Sequence, residues 1–510
     1  MKHISHYIDG KPAAGTSGRL GPVYDPSTGE QQASVDLASV EEVDAAVRSA
    51  RAAAAEWAEV PLARRAQVLF EIRAQLRART DELAAVISSE HGKTVDDARG
   101  EIARGLEVVE LACGIPELIK GSFSESVSTR VDTYSLRQPI GVACGITPFN
   151  FPAMVPLWMV PLALACGNAF VLKPSEKDPS ASLVLAECCI EAGLPPGVLN
   201  VVQGDRVAVD ALLAHPGIDA VSFVGSTPIA RHVYETATAA GKRVQALGGA
   251  KNHMIVLDDA DVDLAADAAV SAAFGSAGER CMAISVAVVA EGIADRFVEA
   301  VAERTAALRV GAGDQGGIDM GPLVTAEHRD RVAGYLERAA DEGATVAVDG
   351  RGHPVEGSAA GFFLGPSVLD RVPTTASAYR DEVFGPLLCV VRVADLDEAL
   401  ALVNASPYGN GAAIFTSDGG AARRFQHEIQ AGMVGINVPI PVPVANYPFG
   451  GWKSSLFGDT HVYGTDGIRF YTRGKVVTSR WPEAAHAGVR LAFPGTPGVD
   501  DAPAGGPGTV

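Results

Sequence analysis

Short runs of β-branched and aliphatic residues alternate along the chain with stretches of helical character, and this alternation constrains the fold most. Four such runs follow one another at 140–146, 170–172, 198–202 and 220–224. Helical stretches such as 180–192 separate them. A strand followed by a helix and then by another strand gives a parallel sheet with helices on its faces. The sequence therefore predicts an α/β fold.

A second series of the same kind begins near His253. Its β-branched runs lie at 254–257, 284–289, 345–348 and 387–393. The 510 residues also exceed what one hydrophobic core usually holds, because domains of about 100 to 200 residues are the norm. We therefore expect one domain formed by 1–126 and 138–252 and a second formed by 253–440.

Two segments outside these series, 127–137 and 462–480, contain stretches in which apolar and polar residues partly alternate. Separated arms of this kind often pair in a small sheet at an oligomer interface, so we expect an oligomerisation arm here. The last segment, 483–510, is rich in Gly, Pro and Ala, and we expect it to be a disordered tail.

The charge balance disfavours one class of partner. Lys and Arg number 42 against 61 Asp and Glu, which gives a net charge of −19 at pH 7. A surface of this sign repels phosphate backbones and anionic lipid, so we expect neither nucleic acid nor a membrane as partner. The seven cysteines include no C-x-x-C pair, which argues against a disulfide framework and a metal site and favours a reducing cytoplasm.

One uncharged segment, 151–172, has about the length of a membrane span. Pro152, Pro156 and Pro161 crowd its first half, and Gly167 interrupts its second half. We therefore expect a buried helix followed by a short strand. The N-terminus lacks the basic and apolar regions of a signal peptide, so we expect no export.

Cys281 lies in a setting that suits a nucleophile. It ends the segment Phe274-Gly-Ser-Ala-Gly-Glu-Arg-Cys281, where small residues let the backbone approach a substrate closely. Arg280 beside it can favour the thiolate or hold an anionic substrate. A cysteine in an apolar chain is more often an inert core residue, and we assign that role to Cys113, Cys144, Cys166, Cys188, Cys189 and Cys389.

Three further motifs directly follow predicted strands. In Thr147-Pro-Phe-Asn-Phe-Pro152, Asn150 can donate its side-chain N–H to a developing oxyanion, although a strand-end Asn is usually a turn former. In Lys173-Pro-Ser-Glu176, Lys173 and Glu176 can face ribose hydroxyls, against the alternative of a solvated turn. The third motif, Phe223-Val-Gly-Ser-Thr-Pro-Ile-Ala230, is not a G-x-G-x-x-G motif but joins a strand to a helix start, which suits a pyrophosphate.

Taken in order along the chain, these motifs resemble those of the aldehyde dehydrogenase superfamily. The landmarks are Thr147-Pro-Phe-Asn-Phe-Pro152, Leu172-Lys-Pro-Ser-Glu176, Phe223-Val-Gly-Ser-Thr227, Leu247-Gly-Gly249, the Cys281 segment, Glu382-Val-Phe-Gly-Pro386 and Pro448-Phe-Gly-Gly-Trp-Lys-Ser-Ser455. The resemblance implies an aldehyde dehydrogenase-like fold with a Rossmann-type NAD domain, an α/β catalytic domain and a small β oligomerisation arm. It also implies a homotetramer or homodimer.

The same resemblance implies roles for individual residues. Cys281 is the implied nucleophile, Asn150 the implied oxyanion donor and NAD the implied cofactor. The implied NAD-binding positions are Thr147, Phe149, Lys173, Glu176, Lys177, Gly225, Ser226, Gly248, Glu382 and Phe384.

One departure from the superfamily pattern bears on the reaction. Hydrolytic members carry a Glu shortly before the Gly-Gly, and this Glu activates water for release of the acyl group. Here the stretch reads Val244-Gln-Ala-Leu-Gly-Gly-Ala-Lys-Asn-His253, and the candidate position is Ala246, or Leu247 if Ala250 is an insertion. Neither side chain can take a proton. A thioester then needs a nucleophile that is already competent, and a thiol such as coenzyme A is one.

The Gly-Ala-Lys-Asn-His stretch, Arg280 and the segment Glu101-Ile-Ala-Arg-Gly-Leu-Glu-Val-Val109 resemble the CoA-acylating methylmalonate-semialdehyde dehydrogenase branch. This resemblance implies that Arg104 and Arg280 hold the carboxylate of the substrate, and a guanidinium fork suits a carboxylate. The alternative for Arg104 is a solvated helix face beside Glu101 and Glu107.

The expected reaction is NAD-dependent oxidation of methylmalonate or malonate semialdehyde with loss of CO2, as in valine or inositol breakdown. Coenzyme A would accept the acyl group and give propanoyl-CoA or acetyl-CoA. One alternative is a hydrolytic dehydrogenase for another acidic semialdehyde, such as succinate semialdehyde, that uses a relocated base. The other is a catalytically silent binding protein that kept the fold.

Overall fold

The computed structural model of the chain describes residues 2–356 and 360–481. The predicted tail at 483–510 therefore lies outside the described residues.

Strands are numbered in chain order through the described residues. They are β1 (Lys2–Ile4), β2 (His6–Ile8), β3 (Lys11–Ala13), β4 (Leu20–Asp25), β5 (Glu30–Asp36), β6 (Phe123–Ser128), β7 (Val131–Pro139), β8 (Val142–Ile146), β9 (Ala169–Lys173), β10 (Leu199–Val201), β11 (Ala220–Val224), β12 (Arg243–Leu247), β13 (Asn252–Val256), β14 (Ile284–Ala290), β15 (Val310–Gly311), β16 (Thr345–Val348), β17 (Val355–Glu356), β18 (Ser367–Asp370), β19 (Leu387–Val393), β20 (Tyr408–Gly409), β21 (Gly411–Phe415), β22 (Met433–Ile436), β23 (Trp452–Lys453), β24 (Leu456–Phe457) and β25 (Thr472–Arg480).

Helices are numbered in the same way. They are α1 (Val40–Glu59), α2 (Leu62–Ala78), α3 (Thr80–His91), α4 (Val95–Cys113), α5 (Ile115–Leu118), α6 (Met154–Ala165), α7 (Ser180–Glu191), α8 (Arg206–Ala214), α9 (Thr227–Ala239), α10 (Val262–Phe274), α11 (Glu291–Ala307), α12 (Ala326–Arg338), α13 (Ser377–Arg380), α14 (Leu396–Asn404), α15 (Gly419–Glu428) and α16 (Gly464–Phe470). Short 3-10 turns lie at Gly275–Gly278 and Gly350–Gly352.

The first sheet has the strand order β24-β12-β11-β8-β9-β10-β2-β3. Its five central strands, β8 to β12, are parallel and buried, whereas β24 and β2 join the edges in the antiparallel sense. Helices α1, α8 and α9 cover one face, and α2, α4, α6 and α7 contribute to the core on the other. The four runs predicted between 140 and 224 appear as β8, β9, β10 and β11.

The second sheet has the order β16-β18-β19-β14-β13-β21-β22 and is parallel except for β16. A separate apolar core surrounds it, with Phe297, Val390 and Ile414 among its fully buried members. The runs predicted from 254 to 393 appear here as β13, β14, β16 and β19. The predicted α/β fold is therefore confirmed.

A three-stranded antiparallel sheet of order β25-β7-β6 lies outside both layers. Its longest pairing runs from Thr472 opposite Pro139 to Arg480 opposite Val131. The strands extend beyond the predicted arm at 127–137 on both sides, and α16 occupies part of 462–480. Phe123 and Val476 are exposed on this sheet at 65% and 71%. Its role in oligomerisation stays a prediction.

The uncharged segment 151–172 forms α6 and most of β9, and each of its residues is buried. This confirms the prediction of a buried helix followed by a short strand. Across the part of the chain that the structure describes, no helix has the length and apolar character needed to cross a membrane.

Candidate functional site

A cavity of about 650 Å³ lies where the carboxyl ends of β8, β11 and β12 face the second sheet. Several predicted site residues line it: Phe149, Asn150, Lys177, Gly225, Ser226, Gly248, Cys281, Glu382 and Phe384. In open parallel sheets, ligands bind at the carboxyl edge, at the point where the chain connections on the two sides run in opposite directions. In this sheet that point lies between β8 and β11. The fold thus brings strand-end motifs together with Cys281.

Cys281 follows the 3-10 turn Gly275–Gly278 and precedes β14. The side-chain amides of Asn252 and Asn410 donate to its carbonyl oxygen over 2.9 and 3.2 Å and hold the loop in place. Cys281 is partly buried, whereas the other six cysteines are buried, and all seven are free thiols. This difference separates Cys281 from the inert core cysteines.

Burial raises the pKa of the Cys281 thiol to about 12, and the charge of Glu382 adds to this rise. The backbone N–H groups of Cys281 and Met282 and the Arg280 guanidinium act in the opposite direction. The thiol is therefore protonated at neutral pH without a ligand. A positive charge bound in the cavity would favour the thiolate, which is the nucleophilic form.

Asn150 lies in the loop between β8 and α6, and it is buried at the wall that Cys281 also lines. Its side-chain amide donates to the carbonyl oxygen of Glu279 over 2.9 Å. An asparagine amide has two N–H groups, so one remains for a ligand. The geometry is compatible with the predicted oxyanion donor.

The other strand ends supply a place for a dinucleotide. Ser226 stands at the N-terminus of α9, whose first turn receives no hydrogen bond from a capping side chain. The free N–H groups of such a turn attract phosphate. After β9, the Lys173 ammonium lies 3.1 Å from the Glu176 carboxylate, and Lys177 lies over the Phe149 ring at 4.5 Å.

Thr147, Lys173 and Glu176 do not line the main cavity. Thr147 and Lys173 are buried beside it, and Glu176 is half-exposed at the end of β9. Their predicted contacts with the cofactor therefore remain predictions.

Glu382 enters the cavity from the loop before β19 and accepts a hydrogen bond from the Ala250 N–H over 2.8 Å. Burial raises its pKa to about 7, and the Ala250 N–H opposes this rise. The carboxylate comes so close to Gly249 that a Cβ there would lie 2.1 Å from Oε2. Lys251 donates to the carbonyl oxygens of Ala378 and Asp381, both over 2.7 Å, and so anchors the loop.

His328 and Arg331, on α12, also line the cavity, and no motif in the sequence predicts either of them. Arg331 Nη2 lies 3.2 Å from His328 Nε2, and because arginine can only donate, Nε2 accepts. The Nδ1–H therefore faces Glu279 Oε1 at 3.3 Å. A histidine and an arginine at the start of a polar helix do not indicate a binding site in the sequence. They reach the cavity only because α12 packs beside it.

The structure does not bring Arg104 and Arg280 to one cavity. Arg104 donates to the Glu107 carboxylate at 2.8 Å and to the Pro443 carbonyl at 2.8 Å. Arg280 donates to Asp97 at 2.5 Å and lines a separate cleft of about 580 Å³. Each guanidinium has an internal partner here, so the carboxylate clamp stays a prediction.

Position 246 or 247, where hydrolytic relatives would carry the water-activating Glu, lies at the end of β12. Ala246 and Leu247 are both buried and aliphatic. Within 2–356 and 360–481, no group of three or more His, Cys, Asp or Glu side chains could hold a metal ion.

The chain is similar to known proteins over most of its length. The profile of the aldehyde dehydrogenase family matches residues 13–477. Malonate-semialdehyde dehydrogenase of Pseudomonas aeruginosa is 55% identical over 496 residues, which are 97% of this chain and 100% of that protein.

Two solved structures are similar to the whole fold. One is a putative methylmalonate-semialdehyde dehydrogenase from Sinorhizobium meliloti complexed with NAD, with a TM-score of 0.94 and 53% identity over 95% of this chain and 99% of that chain. The other is a methylmalonate-semialdehyde dehydrogenase from Oceanimonas doudoroffii, with a TM-score of 0.94 and 52% identity over the same shares of the two chains.

Proposed function

Because the chain belongs to the aldehyde dehydrogenase family, we propose that it oxidises malonate or methylmalonate semialdehyde with NAD and transfers the resulting acyl group to coenzyme A. One observation carries this proposal: Cys281 and Asn150 line the same cavity as the strand ends that suit a dinucleotide. Relatives that share half or more of their residues with the chain are named for these two semialdehydes.

NAD fits the residues that are present. The uncapped first turn of α9 can receive the pyrophosphate, and Glu382 lies at the Cys281 end of the cavity for the ribose of the nicotinamide. Lys173 ends β9 and Glu176 follows it, and a carboxylate at this position can accept hydrogen bonds from the ribose hydroxyls of the adenosine. NAD, when bound, accepts the hydride and brings a positive charge close to the thiol.

The protein's own residues supply the covalent chemistry. Cys281 releases its proton to solvent water, and the thiolate attacks the aldehyde carbon. A C–S bond forms, and the electron pair of the C=O π bond leaves a negative charge on the oxygen. The free N–H of Asn150 and the backbone N–H of Cys281 stabilise this oxyanion. When hydride leaves the carbon, the product is a thioester on Cys281.

The nucleophile that releases the acyl group distinguishes the proposed CoA-acylating reaction from hydrolysis. Ala246 and Leu247 offer no proton acceptor for water, so the thiol of coenzyme A attacks the thioester and returns the proton to Cys281. Loss of CO2 breaks the bond between the β-carboxylate and the carbon beside the thioester carbonyl. The electron pair stays on that carbon and forms a C–H bond with a proton from solvent. Malonate semialdehyde, NAD⁺ and coenzyme A thus give acetyl-CoA, CO2 and NADH.

The test is product analysis by mass spectrometry after incubation with NAD, malonate semialdehyde and coenzyme A. We expect acetyl-CoA, and propanoyl-CoA from methylmalonate semialdehyde, in a 1:1 ratio to NADH. Free malonate as the main product, with coenzyme A present, would support a hydrolytic dehydrogenase with a relocated base. No NADH with either semialdehyde would support a silent binding protein.

We also propose that the protein is a cytoplasmic homotetramer or homodimer. Apolar side chains stand exposed on the sheet formed by β25, β7 and β6, among them Phe123 and Val476. Seven free thiols suit a reducing compartment. Sedimentation of the full chain, compared with a Phe123→Glu/Val476→Glu variant, tests the interface, because two buried charges at a subunit contact should produce monomers.

A further inference from the structure

A fully buried ion pair lies directly behind Asn150. The Lys93 ammonium and the Glu101 carboxylate are both inaccessible to solvent, and Nζ lies 2.7 Å from Oε2. Lys93 stands between α3 and α4, and Glu101 lies on α4. Neither residue lines the cavity that contains Cys281.

The other hydrogen bonds of the pair are made to the backbone of the segment that contains Asn150. Lys93 Nζ donates to the Asn150 carbonyl over 2.7 Å and lies 4.4 Å from the centre of the Phe151 ring. Glu101 Oε1 accepts from the Ala153 and Met154 N–H groups over 2.8 and 3.1 Å. Both ends of the segment 150–154 are thus held by charge-assisted hydrogen bonds.

Glu101 takes the place of a local helix cap. Helix α6 begins at Met154 and receives no hydrogen bond from the side chain of its own N-cap residue, Ala153. A carboxylate at a helix N-terminus satisfies free N–H groups and interacts favourably with the helix dipole. The direction in which α6 leaves the Asn150 loop is therefore set by a residue of α4.

A buried ion pair adds little net stability compared with apolar side chains of similar size, because removing two charges from water is costly. Net stability therefore does not explain why a buried ion pair occupies this place. Its contacts converge on the backbone of Asn150, whose side-chain amide donates to the Glu279 carbonyl. A small shift of the Asn150 backbone would move the remaining N–H within the cavity that Cys281 also lines.

We infer that Lys93 and Glu101 form a positioning pair that sets the place of the Asn150 amide in the oxyanion site. This inference rests on the proposed role of Asn150. The pair acts through Asn150 and touches neither substrate nor cofactor.

The test is a double-mutant cycle on the rate of NADH formation in the first turnover. The pair variant is Lys93→Met/Glu101→Leu, which replaces both charges by apolar side chains of similar length and leaves no unpaired charge buried. Asn150→Ala is made alone and in the pair variant. The control is Arg392→Met/Asp370→Leu, which removes another largely buried ion pair, 2.7 Å long, from the second sheet.

We expect the pair variant to lower the first-turnover rate about 10- to 100-fold, and Asn150→Ala alone to lower it about 100- to 1000-fold. In the pair variant, Asn150→Ala should lower the rate only to the level of Asn150→Ala alone, a further loss of about tenfold instead of about 100- to 1000-fold, because the amide is already misplaced. The dissociation constant for NAD and the alkylation rate of Cys281 by iodoacetamide should stay within about twofold in the pair variant. The control variant should keep the wild-type rate.

Equal losses from Asn150→Ala in both backgrounds, or a pair variant with the wild-type rate, would overturn the inference while leaving the proposed function intact. A wild-type rate for Asn150→Ala alone would overturn the role of Asn150 and the inference with it. If the pair variant does not fold, Glu101→Gln replaces it. This variant keeps an oxygen for Ala153 and Met154 but loosens Lys93, and we expect at least a fivefold loss of rate with the same non-additivity.

Discussion

Replacement of Glu279 by glutamine should change how the stability of the protein depends on pH. The Glu279 carboxyl is fully buried, with Oε1 3.3 Å from His328 Nδ1 and 3.5 Å from the Val324 N–H. Oε2 has no hydrogen-bond partner among the residues that the structure describes, and it lies 3.9 Å from His91 Nε2. Burial raises the pKa of this carboxyl from 4.5 to about 8.

Both neighbouring imidazoles are neutral in the relevant pH range, because burial lowers the pKa of His328 to about 4 and that of His91 well below its usual value. Between pH 4.5 and about 8, the folded protein holds a proton on Glu279 that the unfolded chain has released. The free energy of unfolding therefore falls as pH rises through this window. At about 1.4 kcal/mol per pH unit, the free energy of unfolding falls by about 3 to 5 kcal/mol across the whole window.

Glu279→Gln cannot ionise, yet its side-chain oxygen can still accept from His328 and Val324. We expect its Tm to match that of the wild type near pH 4.5 and to exceed it by about 3 to 5 °C at pH 8.5. The unfolding entropy of about 2 cal/mol/K per residue makes 1 kcal/mol worth about 1 °C in a chain of 510 residues.

Scanning calorimetry from pH 4.5 to 9 measures the effect. The control is Glu56→Gln, which removes one charge from an exposed position of α1. The difference in Tm between Glu56→Gln and the wild type should not depend on pH. Parallel Tm curves for the wild type and Glu279→Gln over the whole range would refute the assignment of a buried, protonated Glu279.

Four further predictions concern the site. Cys281→Ala should lower NADH formation by more than about 1000-fold while NAD still binds, measured by turnover and by a binding titration, whereas the same change at a buried cysteine such as Cys389 should not. Arg104→Leu should raise KM for methylmalonate semialdehyde about 10- to 150-fold, since a charge-assisted bond is worth about 1.5 to 3 kcal/mol, but should leave kcat/KM for propanal unchanged; equal effects on both aldehydes would contradict the clamp. The Glu176 carboxylate should repel the additional phosphate of NADP, so kcat/KM should be higher with NAD, and the reverse preference would exclude this role. Gly249→Ala should weaken NAD binding about tenfold or more with little change in Tm, because the new methyl displaces the end of the Glu382 side chain and not the backbone; unchanged affinity in a titration would show that Glu382 does not contact the cofactor.

Much of the fold follows from local patterns in the sequence. The β-branched runs that became β8, β9 and β11 are buried on both faces of a parallel sheet, and such strands read as continuous apolar stretches. Strands of two residues, such as β24 at the edge of the first sheet, carry no periodicity, and the sequence does not predict them. Pairing with β12 creates β24, so only the folded chain reveals it.

The predicted site residues depend on sequence and structure to different degrees. Cys281, Asn150 and Glu382 are predicted because each lies in a short motif that resembles those of the aldehyde dehydrogenase superfamily. Their arrangement around one cavity, and the partners that Arg104 and Arg280 have in Glu107 and Asp97, appear only in the structure.

Tertiary packing alone determines the surroundings of Lys93, Glu101 and His328. Each is an ordinary charged or polar residue in a helical context, and a pattern along the chain would place it on a solvated surface. Lys93 instead meets the backbone of Asn150, 57 residues away, and His328 meets Glu279, 49 residues away. Burial and charge pairing depend on which distant segments come together, and a sequence pattern reports only the environment that near neighbours create.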